Sequence, residues 1–132
     1  MPLEASDVIA IHQLYAAYNM AADRGDGKAF GGCFAADGVF DMGTMRAKGF
    51  DALAEFAAGI PASAPGCRHI ATNVLVEGEG DLANGQAYLM LLDTHASPTV
   101  IVMTGQYHDR LVRSVDGWRF SERRFSPDEA KS

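Results

Sequence analysis

An α+β fold follows from three features of the chain. Amphipathic helical periodicity occupies the N-terminal part, strand-type segments fill the chain after residue 66, and turn-forming residues separate those strands at hairpin spacing. Helices followed by a run of antiparallel strands predict helices packed on one face of a curved, mainly antiparallel sheet. The 132 residues fit one domain with one core, spanning 1–132. The closing "SPDEAKS", residues 126–132, reads as a frayed tail.

The first helix is marked by Ser6 as N-cap and by a stripe through Val8, Ile11, Leu14, Tyr15, Tyr18 and Ala22. Two glycines in "DRGDG", Asp23 to Gly27, should end it. Asp26 can then cap a short second helix through Phe30 and Phe34. "VFDM", a glycine turn and "MRAKG" read as a hairpin, and "FDALAEFAAGI" as a helix with Leu53, Phe56 and Ile60 on one face. Strands are expected at Arg68–Glu77, Leu82–His95 and Val100–Ser114, with "VDG" turning the last into "WRFSERRF".

Composition removes several classes of function. Apolar residues make up 48% and charged residues 21%, an ordinary globular balance. The net charge is −6, and basic clusters such as "ERR" at 122–124 are too short to follow a phosphate backbone, so no nucleic acid is expected as partner. No apolar run approaches the roughly 20 residues that span a bilayer, and the acidic start "MPLEASDVIA" lacks the basic and apolar regions of a signal peptide. Cys33 and Cys67 form neither a disulfide framework nor a zinc motif. Together these point to a cytoplasmic protein with two small buried thiols and no membrane partner.

Long bent strands closed by helices enclose a pocket, and alternation says which residues could line it. His69, Ala71, Asn73 and Leu75 share one face of the first long strand. Ala87, Leu89, Leu91, Asp93 and His95 share one on the second, and Val100, Val102, Thr104, Gln106, His108 and Arg110 one on the third. The opposite face should then carry Met90, Leu92, Ile101, Met103, Tyr107 and Leu111, a patch large enough to predict a homodimer through the outer sheet face. Polar residues interrupting the inner faces are candidates for function, since their burial is costly.

The succession "YNMAADRGD", "FAADGVFD", "KGFDALAEF", "CRHIATN", "GQYHDRLVR" and "DGWRFSERR" resembles the SnoaL-like branch of the NTF2-like superfamily over roughly residues 5 to 125. The resemblance implies a cone-shaped domain with a deep apolar pocket. Within the branch the spacing is similar to that of scytalone dehydratase, bile-acid 7α-dehydratase and hexachlorocyclohexane dehydrochlorinase. These enzymes use an aspartate ending the first helix and a histidine opening a long strand, positions matched by Asp23 and His69. Tyr18 matches a tyrosine five residues before that aspartate in the bile-acid enzyme. Asp93 is the best match to an acid on the following strand, His95 competes for the same region, and His108 falls near a pocket asparagine. Neither the full dehydrochlorinase set nor the full scytalone set is reproduced.

The catalytic candidates are therefore His69 as general base, Asp23 as its orienter and Tyr18 as electrophilic donor. Asp93, His95, His108, Tyr15 and Phe40 are candidate substrate-binding residues. A base with a pKa near the working pH suits removal of a proton beside a carbonyl, and imidazole supplies it. A carboxylate behind the ring fixes the tautomer, and a phenol can hold the developing enolate oxygen. This chemistry requires no cofactor. His69, Asp93, His95 and His108 lack ligand spacing on any one element, so no metal site is expected. Each residue alone has an ordinary structural explanation, and the joint match of Tyr18, Asp23 and His69 carries the functional reading. That reading is a cofactor-free dehydratase-type lyase for a small hydrophobic, cyclic carbonyl compound. An isomerase or aldol cyclase would need the same dyad, and a non-catalytic binding or assembly module is the reading from another class.

One geometric tension accompanies this set. Five residues along a helix turn through about 500°, which points Tyr18 and Asp23 about 140° apart. Both would face one pocket only if the helix ended or unwound near Asp23.

Overall fold

The computed structural model describes residues 1–129. Helix α1, Ala5–Arg24, presents Ile11, Leu14, Tyr15, Tyr18 and Ala22 to the core, as the periodicity predicts. It starts earlier than a Ser6 cap would allow. Glu4 takes the cap position, and the Asp7 carboxylate accepts its backbone N–H at 3.0 Å. Gly25 ends the helix in the left-handed conformation, φ 66°, and its N–H returns to the carbonyls of Ala21 and Ala22. Asp26 caps α2, Gly27–Gly31, by accepting the Ala29 N–H at 3.1 Å.

The hairpin of β1, Phe34–Asp41, and β2, Arg46–Lys48, follows, then α3, Phe50–Ala58, and the single turn α4, Ile60–Ser63. The remaining strands are β3, Cys67–Glu79; β4, Leu82–Asp93; β5, Val100–Ser114; and β6, Gly117–Pro127. They form one six-stranded sheet in the order β2-β1-β6-β5-β4-β3. Among the described residues β1 and β6 run parallel, and every other adjacent pair is antiparallel. Helix α1 packs against β3 and β6, on the same side of the sheet as the core. The fold is the expected α+β arrangement. No helix among the described residues is long and apolar enough to cross a membrane.

Several boundaries and faces differ from expectation. His95 lies beyond the end of β4, in the turn, where its N–H binds the Asp93 carboxylate at 2.9 Å. Residues 126–128 are not frayed: β6 runs to Pro127, and Asp128 bonds Thr104 through both its N–H and its carboxylate. Residues 130–132 lie outside the described residues.

The inner face of β5 has the opposite parity to the one expected. Met103, Tyr107, Asp109 and Leu111 point inward, while Gln106, His108 and Arg110 are exposed. The cause is a bulge, since Leu91 pairs with Met103 but Leu92 pairs with Ile101, leaving Val102 unmatched. Ile101 therefore faces outward as expected, and everything after the bulge is reversed. A second bulge on β3, where Asn73 has φ 56°, exposes Leu75 and turns Val74 and Val76 toward the core.

The reversal places a charge in the core. Arg123 of β6 is fully buried, with its Nε 3.1 Å from an Asp109 carboxylate oxygen. The other Asp109 oxygen accepts the Tyr15 hydroxyl. Burial pushes the Asp109 carboxyl upward in pKa, and the Arg123 guanidinium pulls it back. The guanidinium is stacked among aromatic rings, 3.4 Å from the Tyr107 centroid and 4.3 Å from that of Tyr18.

Two substitutions test these local arguments. Asp109→Ala leaves the Arg123 charge without its carboxylate in the core, and about 3–5 kcal/mol of stability should be lost in denaturant unfolding. Gly25→Ala demands a left-handed alanine, and its Cβ would sit 2.7 Å from the Pro61 ring. It should cost at least about 1–2 kcal/mol. An unchanged unfolding midpoint in either variant would refute the corresponding argument.

Candidate active site

The centre of the site is a contact between the last turn of α1 and the first residues of β3. The Asp23 carboxylate oxygen Oδ1 lies 2.6 Å from His69 Nδ1 and also accepts the His69 backbone N–H at 2.9 Å. One oxygen thus holds the imidazole at the ring and at the main chain, which fixes both its position and its rotation. Both side chains are about 12% exposed, so the pair sits at the edge of the core rather than in open solvent.

His69 lines a cavity of about 410 Å³ between the helices and the sheet. Its walls are mostly apolar and strongly aromatic, with Tyr18, Phe40, Phe56, Tyr107 and Phe125 supplying rings. The bend between α3 and α4 borders the cavity through Gly59, Ile60 and Ser63. The volume lies within the range of small-molecule sites. Asp23 does not line the cavity; it stands behind His69. That position resolves the 140° tension. Helix α1 remains helical through Arg24, Tyr18 faces the cavity, and Asp23 faces β3 and acts on the cavity only through the imidazole.

Tyr18 is 2% exposed and packs against Phe30 at 4.7 Å and Phe120 at 5.8 Å. Burial and the neighbouring Tyr107 raise its pKa well above that of a free phenol, so it stays a protonated donor. Phe40 lines the cavity as expected.

The other four candidates for substrate binding lie outside the cavity. Tyr15 is buried, but its hydroxyl is bound to Asp109. Asp93 ends β4 and holds the turn, and His95 is exposed beside Gly66, against which its ring packs. His108 is on the outer sheet face because of the bulge at Val102. The four polar residues considered for a metal, His69, Asp93, His95 and His108, are thus not brought together.

Asp23, His69 and Cys67 do place three donor atoms within 4.8 Å of one another. The 2.6 Å separation of His69 Nδ1 and Asp23 Oδ1 is that of a hydrogen bond and leaves no room for an ion between them. Burial, and then the Asp23 charge, raise the Cys67 thiol pKa, so it is held as a neutral thiol at 3.9 Å from that carboxylate.

Sequence reasoning missed Tyr107, Asp109 and Arg123. The signal was there in part: Asp109 interrupts the alternating run Tyr107–Leu111, and Arg123 stands two residues before Phe125 on one strand face.

A model of the SnoaL-like domain matches residues 3–124. Among curated proteins, no sequence matches this chain. A Mycobacterium tuberculosis protein of unknown function is 31% identical, with a TM-score of 0.88 over 96% of this chain and 79% of its own. An NTF2-like protein with a cystatin-like fold from Novosphingobium aromaticivorans is 26% identical, with a TM-score of 0.88 over 96% and 85%. A candidate scytalone dehydratase from the same bacterium is 22% identical, with a TM-score of 0.80 over 94% and 85%, a likeness of fold. The match across nearly the whole sequence, on this helix-capped sheet with its apolar cavity, means that the chain belongs to the SnoaL-like family of NTF2-like proteins.

Proposed function

We propose that the protein is a cofactor-free lyase that removes a proton beside a carbonyl and expels a β-hydroxyl from a small hydrophobic, cyclic compound. The observation that carries this reading is the Asp23–His69 hydrogen bond of 2.6 Å at the wall of an apolar cavity. An isolated buried imidazole would be costly; one oriented by a carboxylate and turned toward a ligand-sized space has a use. Family membership and the fold likeness to a candidate scytalone dehydratase agree with a small-molecule enzyme of this general kind.

In this mechanism Nδ1–H donates to Asp23, which leaves the lone pair on Nε2. Nε2 takes the proton from the carbon next to the carbonyl as that C–H bond breaks. The electron pair moves through the enolate, and Tyr18 donates a hydrogen bond to the enolate oxygen. As the carbonyl reforms, the new C=C bond forms and the C–O bond to the β-hydroxyl breaks. The imidazolium returns its proton to the departing oxygen, which leaves as water. Asp23 stabilises the imidazolium between the two transfers. The apolar walls exclude solvent that would otherwise compete for the proton. Isomerisation of a double bond would use the same base and donor, with the proton returned to a different carbon.

The protein acts as a homodimer in this proposal. The outer sheet face exposes Ile70, Leu75, Tyr88, Ile101 and Val102, with Met90 and Leu92 half-buried among them. Beside them Glu77 and Glu122 stand near Arg110 and Arg124, a mixture of charge that a two-fold copy can complement. Met103, Tyr107 and Leu111, which face inward, take no part in this surface.

Replacing His69 by Gln should lower turnover of a hydroxyketone substrate by roughly 10²–10⁴-fold with little change in KM. Asp23→Asn should lower it in the same direction, and the double variant should lose far less than the product of the two. Intact turnover with weakened binding in His69→Gln would leave only a binding protein. For the assembly, sedimentation at micromolar concentration should give a dimer that Ile101→Glu dissociates; a wild-type monomer would refute it.

A further inference from the structure

The sheet gives the cavity a floor whose chemistry the dyad does not explain. His69 of β3 stands directly beside Leu91 of β4, and Leu91 beside Met103 of β5, and all three line the cavity. Residues paired in this way across antiparallel strands lie about 5 Å apart with their side chains on one face, so the row reaches roughly 10 Å from the imidazole. Met103 joins it because the bulge at Val102 reverses the parity of β5. Leu91 and Met103 are half-buried, so each keeps surface to offer a ligand.

The next inward position on β5 carries no side chain. Gly105 is buried, and a Cβ built there would lie 2.4 Å from Cζ of Phe125 and 2.5 Å from its Cε1. Phe125 is paired with Tyr107, and its ring leans over Gly105 into the space that a β5 side chain would take. That ring is 4% exposed and lines the cavity, so it extends the hydrocarbon row. The polar groups of the wall are engaged elsewhere. Tyr18 and Tyr107 share a hydrogen bond with each other, and the Ser63 hydroxyl donates to the carbonyls of Gly59 and Ile60. Beyond His69 the floor has no donor, and the Met103 thioether is its single heteroatom, a weak acceptor.

We infer that Leu91, Met103 and Phe125 determine the specificity of the site, and that its substrate carries oxygen at the His69 end only and lays an unsubstituted second ring over this floor. The inference deepens the lyase reading and rests on it for the polar end. A hydroxyl or carboxylate on the remote ring would leave water for a surface with no partner, which is costly. A hydrocarbon ring there gains by burial, and Phe125 meets it with an aromatic ring. Gly105 sets the depth, because a side chain there would lift the Phe125 ring off the sheet into the cavity it lines. The substrate class is thus a fused bicyclic hydroxyketone with all its oxygen on one ring, and polyhydroxylated ring systems are excluded.

The test compares three probes by titration calorimetry: phenol, 2-naphthol and 2,6-dihydroxynaphthalene. Phenol has the polar end alone, 2-naphthol adds the second ring, and the diol places a hydroxyl on that ring. Wild-type protein should bind 2-naphthol at least about tenfold more tightly than phenol, and roughly 10–100-fold more tightly than the diol. Met103→Gln keeps the side-chain length and supplies an amide, so the preference for 2-naphthol over the diol should largely disappear. Gly105→Ala should remove the advantage of 2-naphthol over phenol. In carbon-13 methyl NMR of wild-type protein, the ring current of the second ring should shift the Met103 methyl with 2-naphthol and leave it nearly in place with phenol, which requires no variant to fold. If the diol binds as tightly as 2-naphthol, or the Met103 methyl ignores the second ring, the inference is overturned. The lyase reading survives that result, because it is read by turnover in His69→Gln and not by where a remote ring lies. If none of the three probes binds, the cavity takes no cyclic ligand and both fail.

Discussion

The fold converges on one oxygen atom. Asp23 Oδ1 accepts the ring and the backbone of His69, and so joins the end of the longest helix to the start of a thirteen-residue strand. The position of that oxygen depends on how α1 stops. Gly25 turns left-handed immediately after the helix, and Asp26 at once caps α2, so the chain leaves Asp23 in the last turn facing β3. Had the helix continued, its axis would have carried the chain past the strand. Ending it there also turns the chain into α2, on the same side as the cavity. The termination signals of the sequence are thus also the placement signals of the site.

A second constraint shapes the cavity itself. An antiparallel sheet of long strands would fill its concave face with side chains if alternation were perfect. Here the bulges at Val102 and Asn73 shift parity and bend the strands. The shift at Val102 turns Met103, Tyr107, Asp109 and Leu111 inward. Asp109 then needs a cation, which Arg123 supplies from the neighbouring strand, and the two are held by Tyr15 and the surrounding rings. The cost of burying this pair is large, and its removal from water is compensated only by close pairing and by the aromatic faces. The result is a buried ion pair packed behind the Tyr18 and Tyr107 rings of the cavity wall.

What the sequence disclosed and what it concealed separate along the same lines. Helix periodicity, the glycines of "DRGDG" and the hairpin turns are local signals, and they placed α1, α2 and every long strand within a few residues. The partnership of Asp23 and His69 was legible because each occupies an element end whose position local signals define. His108 and Tyr107 were assigned to the wrong faces because strand parity after a bulge depends on a pairing register, which the residues of one strand do not carry. Valine at 102 gives no sign of a bulge, whereas asparagine at 73 is of a type that tolerates positive φ. Arg123 read only as part of a short basic cluster, because a charged residue in a strand is ordinarily exposed and its burial depends on its cross-strand neighbour Asp109.

The central claim is that Asp23 sets the tautomer of His69 so that Nε2 offers its lone pair to the cavity. Nitrogen-15 NMR of the histidine ring reads this directly in the resting protein, with no substrate required. The account predicts that neutral His69 is protonated at Nδ1, and that Asp23→Asn redistributes the proton toward Nε2. A neutral His69 protonated at Nε2 in the wild-type protein would contradict it, because the nitrogen facing the cavity would then have no lone pair with which to act as a base.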